Sequence, residues 1–228
     1  MIVSAHQPNF LPYMGYFYKL YRSDIFVISD SVMFSKSGYH HYNFFNENGS
    51  RKKITVPVSG KSGYIDEVEL SNWEYNRVKI IKRLKGYYAK SKHYDEIMPV
   101  FEKTLSKDYK YLIDLNLALI SDVCRLFGIL PEIKYERLLK ITGDTPTQQI
   151  VDICHKTRCN TYLSGDGAVD YLDTEYLKAN GIKTVFTNYK PLQYGSLENL
   201  SVFDYLMNEG AVVPKEWKAE RMVKTLGI

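Results

Sequence analysis

MIVSAHQPNFLPYMGYFYKLYRSDIFVISD, residues 1–30, decides how this chain folds. Ile2 and Val3 open a short apolar run to Ala5, which ends at the polar tetrad His6-Gln7-Pro8-Asn9. Pro12–Arg22 carries apolar or aromatic residues at 13, 14, 16, 17, 20 and 21, a helical spacing, and Ile25–Ile28 is a second apolar run. Pro12 suits a first helical turn, where its missing N–H is no loss. Strand, loop, helix and strand in that order predict a right-handed parallel crossover. The tetrad then lies at the carboxyl edge of the first strand, where open α/β sheets bind their ligands.

The same alternation returns from Glu132. EIKYERLL is followed by a helix that starts near Asp144–Thr145, a strand at Thr161–Leu163, the loop Ser164-Gly165-Asp166-Gly167, a helix through Tyr176–Asn180 and a strand at Lys183–Phe186. Between the two halves the pattern changes twice. Asn48-Gly49, flanked by Tyr42–Phe45 and Lys53–Val58, predicts a hairpin because both residues tolerate positive φ. Trp73–Gly128 reads as three helices, the last stopping at Gly128 ahead of Pro131. The expected fold is therefore α/β in one domain over 1–228, with a mostly parallel sheet. A β-hairpin insertion falls at about 31–70 and a helical subdomain at about 73–128. Lys61-Ser62-Gly63 reads either as a solvated turn or as a cationic loop able to close over an anion.

Composition narrows the function. A net charge of +4, from 30 basic and 26 acidic residues, is a mild excess without the concentrated basic stripe of nucleic-acid binding. Nucleic acid is thus not an expected partner. No run approaches the length of a spanning helix and the N-terminus has no signal-peptide pattern, so no membrane span and a cytoplasmic location are expected. The three cysteines are odd in number, with none in a C-x-x-C pair, so neither disulfides nor a metal site is expected. Cys154 and Cys159 flank His155 on what reads as an amphipathic helix, and Cys154 has no electropositive surroundings that would make it a nucleophile. The twenty tyrosines suit surfaces half apolar and half wet.

His6, Gln7 and Asn9 bring several donors and acceptors into one small space, with Pro8 stiffening the backbone. Two readings stand side by side: a local turn that caps the following helix, or a ligand site in which His6 moves protons near neutral pH. Ser164–Gly167 is likewise either a turn or a phosphate cradle. Asp30, at the end of the second strand, either forms an Asx-turn or orients His6 and a substrate amine.

HQPNFLPYMGYFYKLYRSDIFVISDSVMFSK, TYLSGDGAVDYLD and ENLSVFDYLMNEG occur in that order and span almost the whole chain. Together they resemble the signatures of the WbqC-like family. The first matches at His6, Gln7, Pro8 and Asn9, the acidic position after the second strand is Asp30, the hairpin asparagine is Asn43, and Ser164 and Gly165 match the later loop. The chain departs from the pattern at Tyr39–Tyr42, where relatives often carry an arginine near the asparagine. An anion-binding role there would fall to His40 or His41. Family members accompany genes for O-antigen and other surface polysaccharides, and some are described as candidate glycine or aminoacyl transferases.

The resemblance implies a transferase that places an acyl or aminoacyl group on the amine of a nucleotide-linked amino sugar in lipopolysaccharide assembly. His6 and Asp30 would be catalytic, with Gln7, Asn9, Asn43, Ser164 and Gly165 binding substrate. No cofactor is implied beyond an acyl or aminoacyl donor, and a homo-oligomer is compatible with the sequence. Two rivals are a sugar-nucleotide-binding protein without catalysis and an ATP-dependent amide ligase. The ligase is weakened because the HxGH phosphate motif of adenylyltransferases such as pantoate–β-alanine ligase is replaced by Tyr13 and Tyr16 around Gly15.

Overall fold

A computed structural model describes residues 1–60, 63–195 and 197–218. Lys61 and Ser62, two of the three residues of the cationic loop considered above, lie outside that set. The fold is α/β. Five strands, β1 (Ile2–His6), β2 (Ile25–Ile28), β7 (Glu132–Tyr135), β8 (Thr161–Ser164) and β9 (Lys183–Phe186), form one sheet in the order β7-β2-β1-β8-β9, and every neighbouring pair is parallel. The chain winds outward from β1 to β2 and β7, then returns to the far side of β1 for β8 and β9. That reversal is a topological switch point, and it opens a crevice at the carboxyl ends of β1 and β8.

The alternating side chains of β2 separate two cores. Phe26 and Ile28 face a large cluster that includes Tyr16, Phe17 and Leu20 of α1 (Met14–Arg22), whereas Ile25 and Val27 face a smaller one with Ile150, Val151 and Ile153 of α6 (Pro146–Thr157) and Leu177 of α7 (Thr174–Ala179). Helices therefore cover both faces, as parallel strands with uninterrupted apolar runs require.

The inserted elements complete the larger core. The hairpin is β3 (Tyr42–Glu47) and β4 (Ser50–Thr55), turning at Asn48 (φ 51°) and Gly49 (φ 81°), and a short antiparallel pair, β5 (Val58–Ser59) with β6 (Glu69–Leu70), follows it. The hairpin contributes Phe45 and Ile54 to the same cluster as Ile80 and Leu84 of α2 (Trp73–Tyr88), Phe101 of α3 (Tyr94–Leu105), Leu119 and Val123 of α4 (Leu112–Phe127), and Phe203 of α8 (Val202–Glu209). Gly128, in the left-handed region, ends α4 where the sequence places its stop. Two details differ from the sequence reading. EIKYERLL divides into β7 and a single helical turn, α5 (Glu136–Leu139), and α1 begins at Met14 with Tyr13 as its N-cap, leaving Pro12 just outside. The Pro12 carbonyl instead accepts the N–H of Val202, tying the helix entrance to α8.

A candidate site at the switch point

The tetrad leaves β1 as a pinned loop. The Asn116 side chain on α4 donates to the carbonyls of Pro8 (2.8 Å) and His40 (2.7 Å), Asn43 on β3 donates to those of Phe10 and Leu11, and the Ser201 hydroxyl donates to Leu11. Leu11 itself is held at a φ of 40°. Buried carbonyls are costly to leave unpaired, so these three side chains fix the loop's path, with Phe10 and Leu11 in the core and His6, Gln7 and Asn9 on the cleft walls. Asn43, matched to a binding position by the family resemblance, thus spends its amide N–H₂ on the loop's backbone, and its carbonyl accepts from the Phe44 N–H.

Two clefts meet at this loop. One, of about 550 Å³, occupies the switch point and is lined by His6, Gln7, Lys19, Glu136, Ser164 and Gly165 among others. The second, of about 520 Å³, lies toward the hairpin and is lined by His6, Asn9, Pro12, Tyr13, Tyr39, Asn43, Arg51 and Asn199. His6 and Tyr13 border both. Gly15 permits this placement of Tyr13, because a Cβ at that position would fall 2.3 Å from the tyrosine ring.

His6 packs edge-on against Tyr16, and its Nδ1 lies 3.1 Å from the Gln7 carbonyl oxygen. A carbonyl only accepts, so the proton sits on Nδ1 and Nε2 keeps its lone pair. Burial lowers the His6 pKa to about 3, assisted by the positive charge of Lys19. The ring is neutral at pH 7, as a base must be, but weakly basic. Gln7 accepts through Oε1 from His40 Nε2 at 2.7 Å. His40 also receives the Ser35 N–H at Nδ1, and burial holds its pKa at about 4. Burial lowers His41 as well. Neither histidine supplies the positive charge that an absent arginine would have provided.

The charge comes from two residues that sequence reasoning missed. Lys19 sits on the buried face of α1, only 6% exposed, and donates to the Ala5 carbonyl at 2.7 Å. It forms no direct ion pair among the described residues; desolvation lowers its pKa to about 8, against the opposing charge of Asp166, which lines the same cleft. A signal was present: Lys19 is the sole charged residue between Tyr13 and Tyr21, in a helix with too few polar positions to give it a solvated face, and all of Met14–Leu20 is indeed buried. Arg51, on β4, reaches the hairpin cleft with its guanidinium 4.0 Å from the centre of the Phe44 ring.

The acidic residues are distributed differently from the sequence expectation. Asp30 is fully buried and does not line either cleft; it accepts the Arg137 N–H at 3.0 Å and pairs with the Arg137 guanidinium at 3.1 Å. Its position anchors the turn α5. The neighbouring Glu136 faces the switch-point cleft instead, and burial raises its pKa. Across the cleft, Ser164 is buried with its hydroxyl on the Gly165 carbonyl, and Asp166 accepts from the Thr187 hydroxyl and from the N–H groups of Asn188 and Tyr189. The Cys124 and Cys154 thiols are pushed up to about 12 by burial, which makes them inert. Among the described residues no three or more His, Cys, Asp or Glu side chains gather as a metal site, and no helix is long and apolar enough to cross a membrane.

The chain is a doubly wound α/β protein with a charged cleft at its switch point, the position at which open sheets of this kind bind ligands. The sequence pattern of the WbqC-like protein family matches residues 7–215, and the chain belongs to that family. Among curated proteins it is similar to the uncharacterized protein Rv1507c of Mycobacterium tuberculosis (strain ATCC 25618 / H37Rv), at 25% identity over 225 residues, covering 93% of this chain and 95% of that protein. No solved structure matches the chain.

Proposed function

We propose that this protein transfers a small acyl or aminoacyl group to the amine of a nucleotide-linked amino sugar, in the assembly of a surface polysaccharide. The observation that carries this reading is the buried Lys19 ammonium, which borders the switch-point cleft without a direct ion pair among the described residues, the Asp166 carboxylate lining the same cleft at longer range. Asp166 offsets the cost of burying this cation only in part, since desolvation still lowers the Lys19 pKa to about 8, and the closer anion of a nucleotide diphosphate would complete the site. The sugar then lies toward His6 and Glu136, which border the same cleft. Glu136 takes the amine-binding part that the sequence assigns to Asp30, because Asp30 is engaged with Arg137.

In the reaction the amine nitrogen attacks the acyl carbon, a C–N bond forms, and the bond from that carbon to the donor's leaving group breaks. The proton lost by nitrogen passes to His6 Nε2 and on to solvent or the leaving group. Desolvation is the main cause of the low His6 basicity, and a diphosphate beside Lys19 would relieve only the second cause, the lysine's positive charge.

The test is mass spectrometry of one mixture holding amino-sugar nucleotides, glycine, an acyl-CoA and ATP. An N-acylated sugar nucleotide without AMP release supports the reading, and AMP release dependent on carboxylate and amine replaces it with ligation. Unchanged turnover in His6→Ala removes the base. The low basicity of His6 favours one second reading, that the clefts bind a sugar nucleotide without turning it over. Saturable nucleotide binding with no product on long incubation is its signature.

A further inference from the structure

The hairpin cleft contains a cation that the switch-point chemistry does not use. Its lining consists of neutral side chains and Arg51, with no carboxylate among them. The Arg51 guanidinium has no ion-pair partner among the described residues and is held over the Phe44 ring at 4.0 Å, which fixes its stem while leaving its N–H groups available. Asn9 supplies an independent observation. It lines the same cleft, is 7% exposed, and its buried side-chain carbonyl has no hydrogen-bond partner. Native interiors pair nearly all such atoms, so an orphaned carbonyl beside an unpaired guanidinium marks a place for a ligand bearing both an anion and a donor.

We infer that the hairpin cleft is a second substrate site for a co-substrate carrying a carboxylate or phosphate, with Arg51 holding the anion and Asn9 accepting an N–H or O–H of the same molecule. The inference rests on the transferase reading for the word co-substrate, but the site itself stands on Arg51 and Asn9. His6 and Tyr13 border both clefts, so a molecule in each would meet at these two side chains. Cation–π seating suits Arg51 to holding an anion, because the planar fork is oriented before the ligand arrives and loses less freedom on binding than a mobile lysine.

The experiment is a calorimetric titration of wild type, Arg51→Ala and Lys19→Met with three probes: UDP for the switch-point cleft, acetyl phosphate for a phosphorylated co-substrate, and alanine for a free carboxylate. Each small probe is added with and without UDP. The expected result is that acetyl phosphate or alanine binds wild type, binds also when UDP is present, weakens tenfold or more in Arg51→Ala, and changes less than threefold in Lys19→Met. Which probe binds identifies the anion. Binding of neither probe, equal weakening in both variants, or displacement of the probe by UDP overturns the second site. Loss of UDP binding in wild type is a separate failure, that of the nucleotide reading, and it leaves the Arg51 comparison intact. Arg51 is exposed on β4, so its truncation leaves the core unchanged, and an unaltered melting temperature checks this.

Discussion

The two loops that flank the switch point are built in opposite ways. The loop after β1 is held from outside: its carbonyls at Pro8, Phe10 and Leu11 are taken by Asn116, Asn43 and Ser201, all rooted in the large core. Its own polar side chains, His6, Gln7 and Asn9, are left on the cleft walls. The loop after β8 is the holder instead, its Asp166 carboxylate gathering three donors from residues 187–189. A polar residue in a loop is therefore a ligand candidate only when its neighbours, and not the residue itself, satisfy the backbone. By that criterion Asn9 qualifies; His6 spends Nδ1 on the Gln7 carbonyl and offers a ligand only Nε2, and Asn43 and Asp166 act as supports.

Breaking the outer scaffold should have the largest effect. Asn116→Ala leaves two buried carbonyls without donors, and chemical denaturation should register a loss of about 2–4 kcal/mol. A loss under 1 kcal/mol would mean that the loop does not depend on α4. Lys19→Met should weaken UDP binding by roughly tenfold to a hundredfold, the worth of a charge-assisted contact, without lowering the melting temperature, because an unpaired buried charge has been replaced by an apolar chain of similar shape. A simultaneous fall in stability would assign Lys19 to the scaffold. Asp166→Ala, which frees the buried Thr187 hydroxyl and two N–H groups nearer the surface, should cost about 1–2 kcal/mol and, by removing a negative charge from the cleft, should not weaken UDP binding.

A further test concerns pH. Lys19 titrates at about 8 in the folded protein and at 10.5 as a free side chain, so between those values the unfolded chain binds the extra proton. Stability of the ligand-free protein should therefore rise with pH across that window, a rise that Lys19→Met abolishes. His6 works at the acid end: with its folded pKa lowered to about 3 from 6.5, stability should fall as the pH drops through that interval, and His6→Gln should blunt the fall in an acid-denaturation series.

Much of this architecture is legible in the chain. The period-3.6 stripe of Tyr13–Tyr21, the apolar runs at Ile2 and Ile25, the Asn48-Gly49 turn and the Gly128 stop each act through neighbours in sequence, so local reading finds them. Asp30 shows the limit. Its placement at the end of β2 is legible, yet its partner Arg137 is 107 residues away and arrives only because β7 pairs with β2. Arg51 falls outside the sequence reading for the same kind of reason: it meets His6 and Asn9 only once the hairpin docks on the loop.

From the sequence alone follow the α/β class, the parallel sheet, and the position of His6-Gln7-Pro8-Asn9 at a strand's carboxyl edge, since backbone pattern is set by short-range sterics and by which face must be apolar. Tertiary structure alone decided which polar groups remain unspent. Whether a lysine is paired, an aspartate is enclosed or an asparagine carbonyl is orphaned depends on which distant atoms come within about 3–4 Å, the range over which hydrogen bonds and ion pairs act. Lys19, Arg51 and Asn9 emerge as the groups awaiting a partner only at that level.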